Sequence, residues 1–305
     1  LASSSGPVQA EEEIRVVATT KTFADLVKSV GGDRVKVDHV APPNQNVHFI
    51  EPRPSDVLRL SKADLFVHSG LDLELWRYPL AEASGKSAFL PGRSRELALA
   101  RGVTLLEVPP PGVSRAQGDI HVFGNPHYWL DPRNGKILAA TICEKLSELD
   151  PSHAQDFENN RDRFLEKLDR KIAEWQTSLA PYKGTPVVTY HNSWPYFARF
   201  AGLDVVGFIE PKPGIPPTPR HVAFLLALLK EKNVKLIFKE PYFENRTPRK
   251  LARATEARVF TLAHGVAEAH EVNRRIESAG ISLRAVTDEL QTQGVELYSD
   301  SIDKA

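Results

Sequence analysis

Three histidines and one glutamate stand where the sequence could bind a metal ion. His191 comes directly after the predicted strand "TPVVTY", and Glu240 follows the predicted strand "VKLIF". His48 lies in the loop between a second predicted strand and the helix that opens at Pro54. His127 follows a short rigid turn. Imidazole nitrogens and a carboxylate oxygen are typical donors for first-row transition metals, and a majority of nitrogen donors favours zinc over manganese.

The stretch "GDIHVFGNPHYWLDP", residues 118–132, directs one of these histidines. A Gly-Asn-Pro sequence forms a turn with little conformational freedom, so it gives the side chain that follows a defined direction. We therefore expect the turn to aim His127 into a cleft, with Trp129 packed behind it. The same stretch contains His121, which we treat as a possible auxiliary ligand on a lid formed by the loop 107–124.

The elements that must position these residues occur twice along the chain. Residues 15–60 and 186–226 each show a β-branched strand, a helix, a glycine turn and a second strand, and each contains Phe-Ile-Glu-Pro. A third strand follows at 63–70 and at 234–241. Alternating strands and helices at this spacing predict an α/β fold of two lobes built from parallel βαβ units. Because ligands bind beyond the carboxyl ends of parallel strands, we expect a metal cleft between the lobes.

One long helix is predicted to join the lobes. Its apolar residues recur at helical spacing amid dense mixed charge across residues 151–182. About 28 helical residues give a rod of roughly 40 Å, which hinders wide hinge opening. We divide the chain into a disordered leader or tether at 1–13, an N-terminal lobe at 14–150, this linker helix, and a C-terminal lobe at 183–305.

Composition excludes several classes of function. The formal net charge is zero, so the chain has no global field that would recruit nucleic acid. The apolar run at 222–229 is too short to cross a bilayer. Cys143 is the single cysteine, so no disulfide can form within the chain. The first residues contain no signal-peptide pattern, and we expect any export signal to have been removed already.

The residues alone leave three interpretations open. The first is reversible metal binding for transport. The second is a zinc-dependent hydrolase or hydratase, in which three histidines hold zinc and Glu240 acts as general base on a bound water. The third is a surface adhesin whose metal is structural. Glu240 has its own alternative, since a carboxylate in this place could orient a ligating histidine instead of binding the metal.

Four motifs then make the chain resemble a known family. The motifs are "VHFIEPRPSD" at 47–56, "NPHYWLDP" at 125–132, "YHNSWPYF" at 190–197 and "FKEPYF" at 238–243. They resemble the metal-binding substrate-binding proteins of bacterial ABC importers, the zinc and manganese group with a rigid linker helix. The resemblance covers nearly the whole chain from about residue 14.

The resemblance implies a function and a setting. It implies that His48, His127 and His191 are metal ligands, and that the chain is not an enzyme. The transported ligand is then Zn²⁺ in preference to Mn²⁺, because His stands at position 191 where many manganese binders have Glu. The partner is an ABC permease in the membrane, and the protein is a periplasmic or otherwise extracytoplasmic monomer, with or without a lipid anchor.

The fourth ligand departs from the family pattern. Members of the family often supply an aspartate from a loop after a late strand, but the stretch "RVFTLAHGVAEAH" at 258–270 contains no aspartate. Glu240, His264 or a water molecule could fill the position. We favour Glu240, because it ends a central strand.

Overall fold

Two parallel four-stranded sheets form the scaffold of the computed structural model, which describes residues 13–110, 112, 121–212 and 214–262. The strand order is β2-β1-β3-β4 in the first sheet and β6-β5-β7-β8 in the second. The strands are β1 (Ile14–Ala18), β2 (Val35–His39), β3 (Leu65–His68), β4 (Glu96–Ala98), β5 (Pro186–Thr189), β6 (Asp204–Phe208), β7 (Leu236–Lys239) and β8 (Arg258–Thr261). All pairings within the sheets are parallel. The predicted α/β class with two related lobes is confirmed.

Helices connect and cover these strands. They are α1 (Lys21–Gly31), α2 (Pro54–Ser61), α3 (Arg77–Ala83), α4 (Asn134–Leu149), α5 (Ala154–Leu179), α6 (Pro195–Ala201), α7 (Pro219–Glu231) and α8 (Arg246–Arg253). Local sequence sets several of their starts. The side chains of Thr20 and Thr218 accept hydrogen bonds from backbone N–H groups in the first turns of α1 and α7. Proline opens α2, α6 and α7, where its missing N–H costs no helical hydrogen bond.

The internal repeat seen in the sequence corresponds to a repeated strand order, but the repeated tetrapeptide does not occupy the same position in both lobes. Both sheets have the same strand order, and each gains a short fourth strand beyond the three in the repeated pattern; β8 lies in the stretch 258–270, where the resemblance places a late strand. The Phe-Ile-Glu-Pro tetrapeptide lies in different places in the two lobes. Phe49 belongs to a short 3₁₀ turn and is 62% exposed, whereas Phe208 is the last residue of β6. The shared tetrapeptide therefore does not mark equivalent positions.

Helix α5 lies between the two sheets in sequence and packs mainly on α1 and α4 of the first lobe. Its 26 residues span about 39 Å. It buries an apolar stripe of Phe157, Phe164, Leu168, Ile172, Trp175 and Leu179. One continuous apolar core includes this stripe, strands of the first lobe, and residues such as Trp194, Tyr196 and Phe238 of the second lobe. Packing across the lobe boundary opposes wide separation of the lobes.

Two of the predicted segments extend beyond what the structure describes. The leader at 1–13 is described only at residue 13, and the C-terminal lobe is described to residue 262. Within the described residues, no helix is long and apolar enough to cross a membrane.

Candidate metal centre

The candidate site lies at the carboxyl ends of the strands, where loops of both lobes meet. His191 follows β5 by two residues, and Glu240 follows β7 directly. His48 sits in the 3₁₀ turn Val47–Phe49, which comes after β2. His127 immediately precedes the 3₁₀ turn Tyr128–Leu130. Parallel strand order thus brings together residues that are far apart in sequence, as the rule for ligand sites in such sheets predicts.

Four imidazole rings form a cluster in this place. The ring of His48 has its centroid 5.2 Å from that of His127 and 5.4 Å from that of His191. The rings of His127 and His191 are 5.6 Å apart. His121 joins them, with its centroid 5.0 Å from that of His48. The structure therefore brings together the three histidines proposed from sequence and His121, which the sequence analysis treats as a possible auxiliary ligand.

Distances between donor atoms suit a shared metal ion. Nε2 of His48 lies 3.2 Å from Nε2 of His127. Two nitrogens bound to one tetrahedral zinc at 2.0–2.1 Å are about 3.3 Å apart. Donor atoms of His48, His121 and His191 all lie within 4.8 Å of one another. The cluster can thus contract around a cation with small side-chain movements.

Asn125 fixes the orientation of His127. The Asn125 side-chain oxygen accepts from the backbone N–H of His127 at 3.0 Å and from its ring Nδ1 at 3.0 Å. That oxygen only accepts, so Nδ1 carries the proton and Nε2, which lies 3.2 Å from Nε2 of His48, is the nitrogen that can bind a metal. Gly124 adopts φ of 111°, a conformation that favours glycine, and its N–H donates to the His121 carbonyl at 3.2 Å. The ring of Trp129 packs against that of His127, with the two ring centroids 5.5 Å apart, as the sequence predicts.

Glu210 fixes the orientation of His191. A carboxylate oxygen of Glu210 accepts from His191 Nδ1 at 2.7 Å. His191 is 4% exposed, and its buried Nε2 has no hydrogen-bond partner among the described residues. A buried nitrogen in that condition costs free energy unless a ligand satisfies it. A carboxylate–histidine pair with an available Nε2 is the usual support of a metal-binding histidine.

His48 is held through its backbone. Its N–H donates to the side-chain oxygen of Asn46 at 3.1 Å. The indole N–H of Trp76 donates to the carbonyl of Val47 at 2.7 Å. These bonds fix the 3₁₀ turn, while the ring itself is only partly buried and faces the other three histidines.

Glu240 is fully buried beside the cluster. One carboxylate oxygen accepts from the Ser193 hydroxyl at 2.5 Å, and burial raises the pKa of Glu240 to about 7 in the metal-free protein, partly opposed by the nearby His191. In the described part of the chain, the group of mutually close donor atoms consists of His48, His121 and His191, and includes neither this carboxylate nor His127. The prediction that Glu240 binds the metal stays a prediction. The alternative ligand His264 lies outside the described residues.

A hydrogen-bonded clamp links the two lobes next to the cluster. One oxygen of Glu107 accepts from the side-chain amides of Asn125 and Asn192, at 2.8 Å each. Tyr196 from the second lobe donates its hydroxyl to the Asn125 carbonyl at 2.9 Å and accepts from the Leu106 N–H at 3.0 Å. The clamp therefore joins the turn that holds His127 to the loop that holds His191.

Sequence reasoning missed Glu210 and the clamp. In the first copy of the tetrapeptide, which begins directly after His48, the glutamate is Glu51, and it is exposed. Its counterpart in the second copy of the tetrapeptide, Glu210, is the one that bonds to a histidine. The signal was present, since a glutamate at the carboxyl end of β6 also faces the predicted ligand edge.

Comparisons with known proteins agree with a metal centre. Residues 16–273 match the family model described as zinc-uptake complex component A, periplasmic. The chain is 27% identical over 270 residues to the manganese ABC transporter substrate-binding lipoprotein PsaA of Streptococcus anginosus. The aligned residues cover 85% of this chain and 84% of that protein. It is 25% identical over 262 residues to the iron-binding protein YfeA of Yersinia pestis, and the aligned residues cover 84% of this chain and 78% of that protein.

A solved structure has the same architecture. A crystal structure of ZnuA superposes with a TM-score of 0.73 at 26% identity, covering 90% of this chain and 100% of that chain. The family description names zinc, PsaA is named for manganese and YfeA is named for iron. The comparisons therefore identify a group of metal-uptake proteins and do not select one metal.

Proposed function

We propose that this chain, which belongs to the zinc-uptake complex component A family, captures Zn²⁺ outside the cytoplasm and delivers it to an ABC permease. Members of that family are metal-binding substrate-binding proteins of ABC importers and not enzymes. Relatives named as lipoproteins support the location and leave room for a lipid anchor.

The imidazole cluster carries this proposal. His48, His127 and His191 are the proposed ligands. In His127 and His191 the Nδ1 atom is bonded to an oxygen acceptor, so Nε2 is the nitrogen that would bind the metal. Nitrogen-rich ligand sets favour zinc, whereas Mn²⁺ prefers oxygen donors. Glu210 adds negative charge beside the cluster, which supports binding of a dication, and a bound dication would in turn favour the ionised form of the buried Glu240.

Release of the metal must fit the rigid frame. The continuous core between the lobes and the clamp around Glu107 oppose a large hinge motion. We expect release to come from rearrangement of the ligand loops with small tilts of the lobes. The permease would then act on the loop edge that carries the histidines.

Metal analysis with calorimetric titration tests the proposal. We expect zinc to bind more tightly than manganese, and expect large, similar losses of zinc affinity in His48→Ala, His127→Ala and His191→Ala. His221→Ala is a matched control, because that ring lies on α7 and bonds to the Phe208 carbonyl. Tighter binding of manganese would refute the zinc assignment, and unchanged binding in the three variants would refute the site.

Folding of the empty protein separates transport from a structural metal. A carrier must stay folded after it gives up its ion, whereas a protein held together by structural zinc unfolds when the metal is removed. We expect circular dichroism of chelator-treated protein to keep its helical and strand signal. Loss of that signal would favour the structural alternative.

A further inference from the structure

His121 occupies a defined place at the metal cluster. Its ring centroid lies 5.0 Å from that of His48, with the planes 30° apart, and 5.8 Å from that of His127. One of its nitrogens belongs to the group of donor atoms, with those of His48 and His191, that lie within 4.8 Å of one another. A surface histidine with no role at the site would not need to share this space.

The backbone around His121 is also fixed. The carbonyl of His121 accepts from the N–H of Gly124 at 3.2 Å, which closes a turn over residues 121–124. The next N–H, that of Asn125, donates to the Leu106 carbonyl at 2.8 Å. His121 and His127 therefore extend from one braced turn, and the arrangement that aims one ring also aims the other.

We infer that His121 is the fourth ligand of the metal, completing an all-imidazole coordination sphere in place of Glu240. The inference rests on the proposed function, because it assumes that the cluster binds a metal ion. Four neutral imidazoles suit tetrahedral Zn²⁺, which takes four nitrogen or sulfur ligands in closed sites. With no oxygen among the ligands, the site discriminates against Mn²⁺ by ligand type.

Glu240 is the weaker candidate for the same position. Its carboxylate is fully buried, and one of its oxygens already accepts a short hydrogen bond from the Ser193 hydroxyl. Its role in this arrangement is electrostatic. Together with Glu210 it balances the two positive charges of the ion without contacting it.

Zinc affinity measured by chelator competition tests this assignment. Loss of one of four bonds should weaken binding by at least about tenfold in His121→Ala. Glu240→Gln removes a charge but no bond to the metal, so its loss of affinity should be smaller than that of His121→Ala. Unchanged affinity in His121→Ala with lost affinity in His48→Ala would overturn the inference and leave the proposed function intact. A larger loss in Glu240→Gln than in His121→Ala would assign the position to Glu240. If no variant changes binding, the proposed function itself fails.

Cobalt spectroscopy gives a direct readout of coordination. His121→Cys places a thiol at the fourth position, and a thiolate bound to Co²⁺ produces a ligand-to-metal charge-transfer band. We expect this band in the Co²⁺-loaded His121→Cys variant. The natural Cys143 is buried in α4, where its sulfur accepts from Arg161 of α5, so neither the wild type nor a His221→Cys control should show the band. Absence of the band in a folded, cobalt-loaded His121→Cys variant would overturn the inference.

Discussion

Replacement of Glu210 by glutamine tests how the structure prepares His191 for a metal. The carboxylate accepts from His191 Nδ1 at 2.7 Å and so keeps the Nε2 lone pair available. Glutamine has nearly the same shape but no charge, and its amide can present either a donor or an acceptor to Nδ1. Glu210→Gln therefore removes both the fixed tautomer and one negative charge near the ion.

The size of the effect follows from the distance. The carboxylate oxygen lies 2.7 Å from the ring, and the ring and the metal bond add roughly 2 Å each, so the charge is about 7 Å from the ion. The attraction of one negative charge to a dication at that distance is about 1 kcal/mol in water and about 5 kcal/mol at an effective dielectric constant near 20. Loss of a bracing carboxylate commonly weakens metal binding 10- to 100-fold, which lies between these limits. We expect a loss in this range.

Chelator competition at constant pH is the assay, with thermal unfolding followed by circular dichroism to show that the variant folds. Glu51→Gln is the matched control, since Glu51 lies in the other Phe-Ile-Glu-Pro segment but is exposed. Its zinc affinity should stay within about twofold of the wild type, as expected for an exposed side chain. A folded Glu210→Gln variant that binds zinc within about threefold of the wild type would refute the reasoning, as would an equal loss in Glu51→Gln.

Two further predictions concern the metal-free protein. Burial raises the pKa of Glu240 from 4.5 to about 7, so the folded state holds its proton over a range in which the unfolded state has lost it. Stability should fall as the pH rises through that window, by up to roughly 3 kcal/mol. Glu240→Gln should unfold at higher urea concentration than the wild type near pH 8 and at a similar concentration near pH 4, and equal midpoints at both pH values would contradict the burial argument. Glu107→Ala removes the acceptor shared by Asn125 and Asn192. Glutamate and alanine both place a Cβ at position 107, where φ is 53°, so the backbone strain is the same in wild type and variant. We expect the free energy of unfolding to fall by about 1 kcal/mol, and a midpoint unchanged in urea would show that the clamp contributes nothing.

Much of the fold and part of the site follow from local sequence. The alternation of β-branched strands with capped helices predicts parallel sheets, and parallel sheets predict which ends of the strands carry ligands. The direction of His127 is also local, because Gly124 and Asn125 set it within three residues. The short strand β4, by contrast, has only three residues and no β-branched side chain, so no periodic pattern could reveal it.

The chain by itself determined the two-lobed α/β scaffold, the linker helix pattern and the histidines that face the cleft, because hydrophobic periodicity and turn chemistry act over a few neighbouring residues. Tertiary structure alone decided which groups touch. His48 and His127 meet across 79 positions of sequence, and Glu210, not Glu51, reaches a histidine. Such contacts depend on side-chain positions to within about an ångström, and these are set by packing between elements that sequence spacing does not encode.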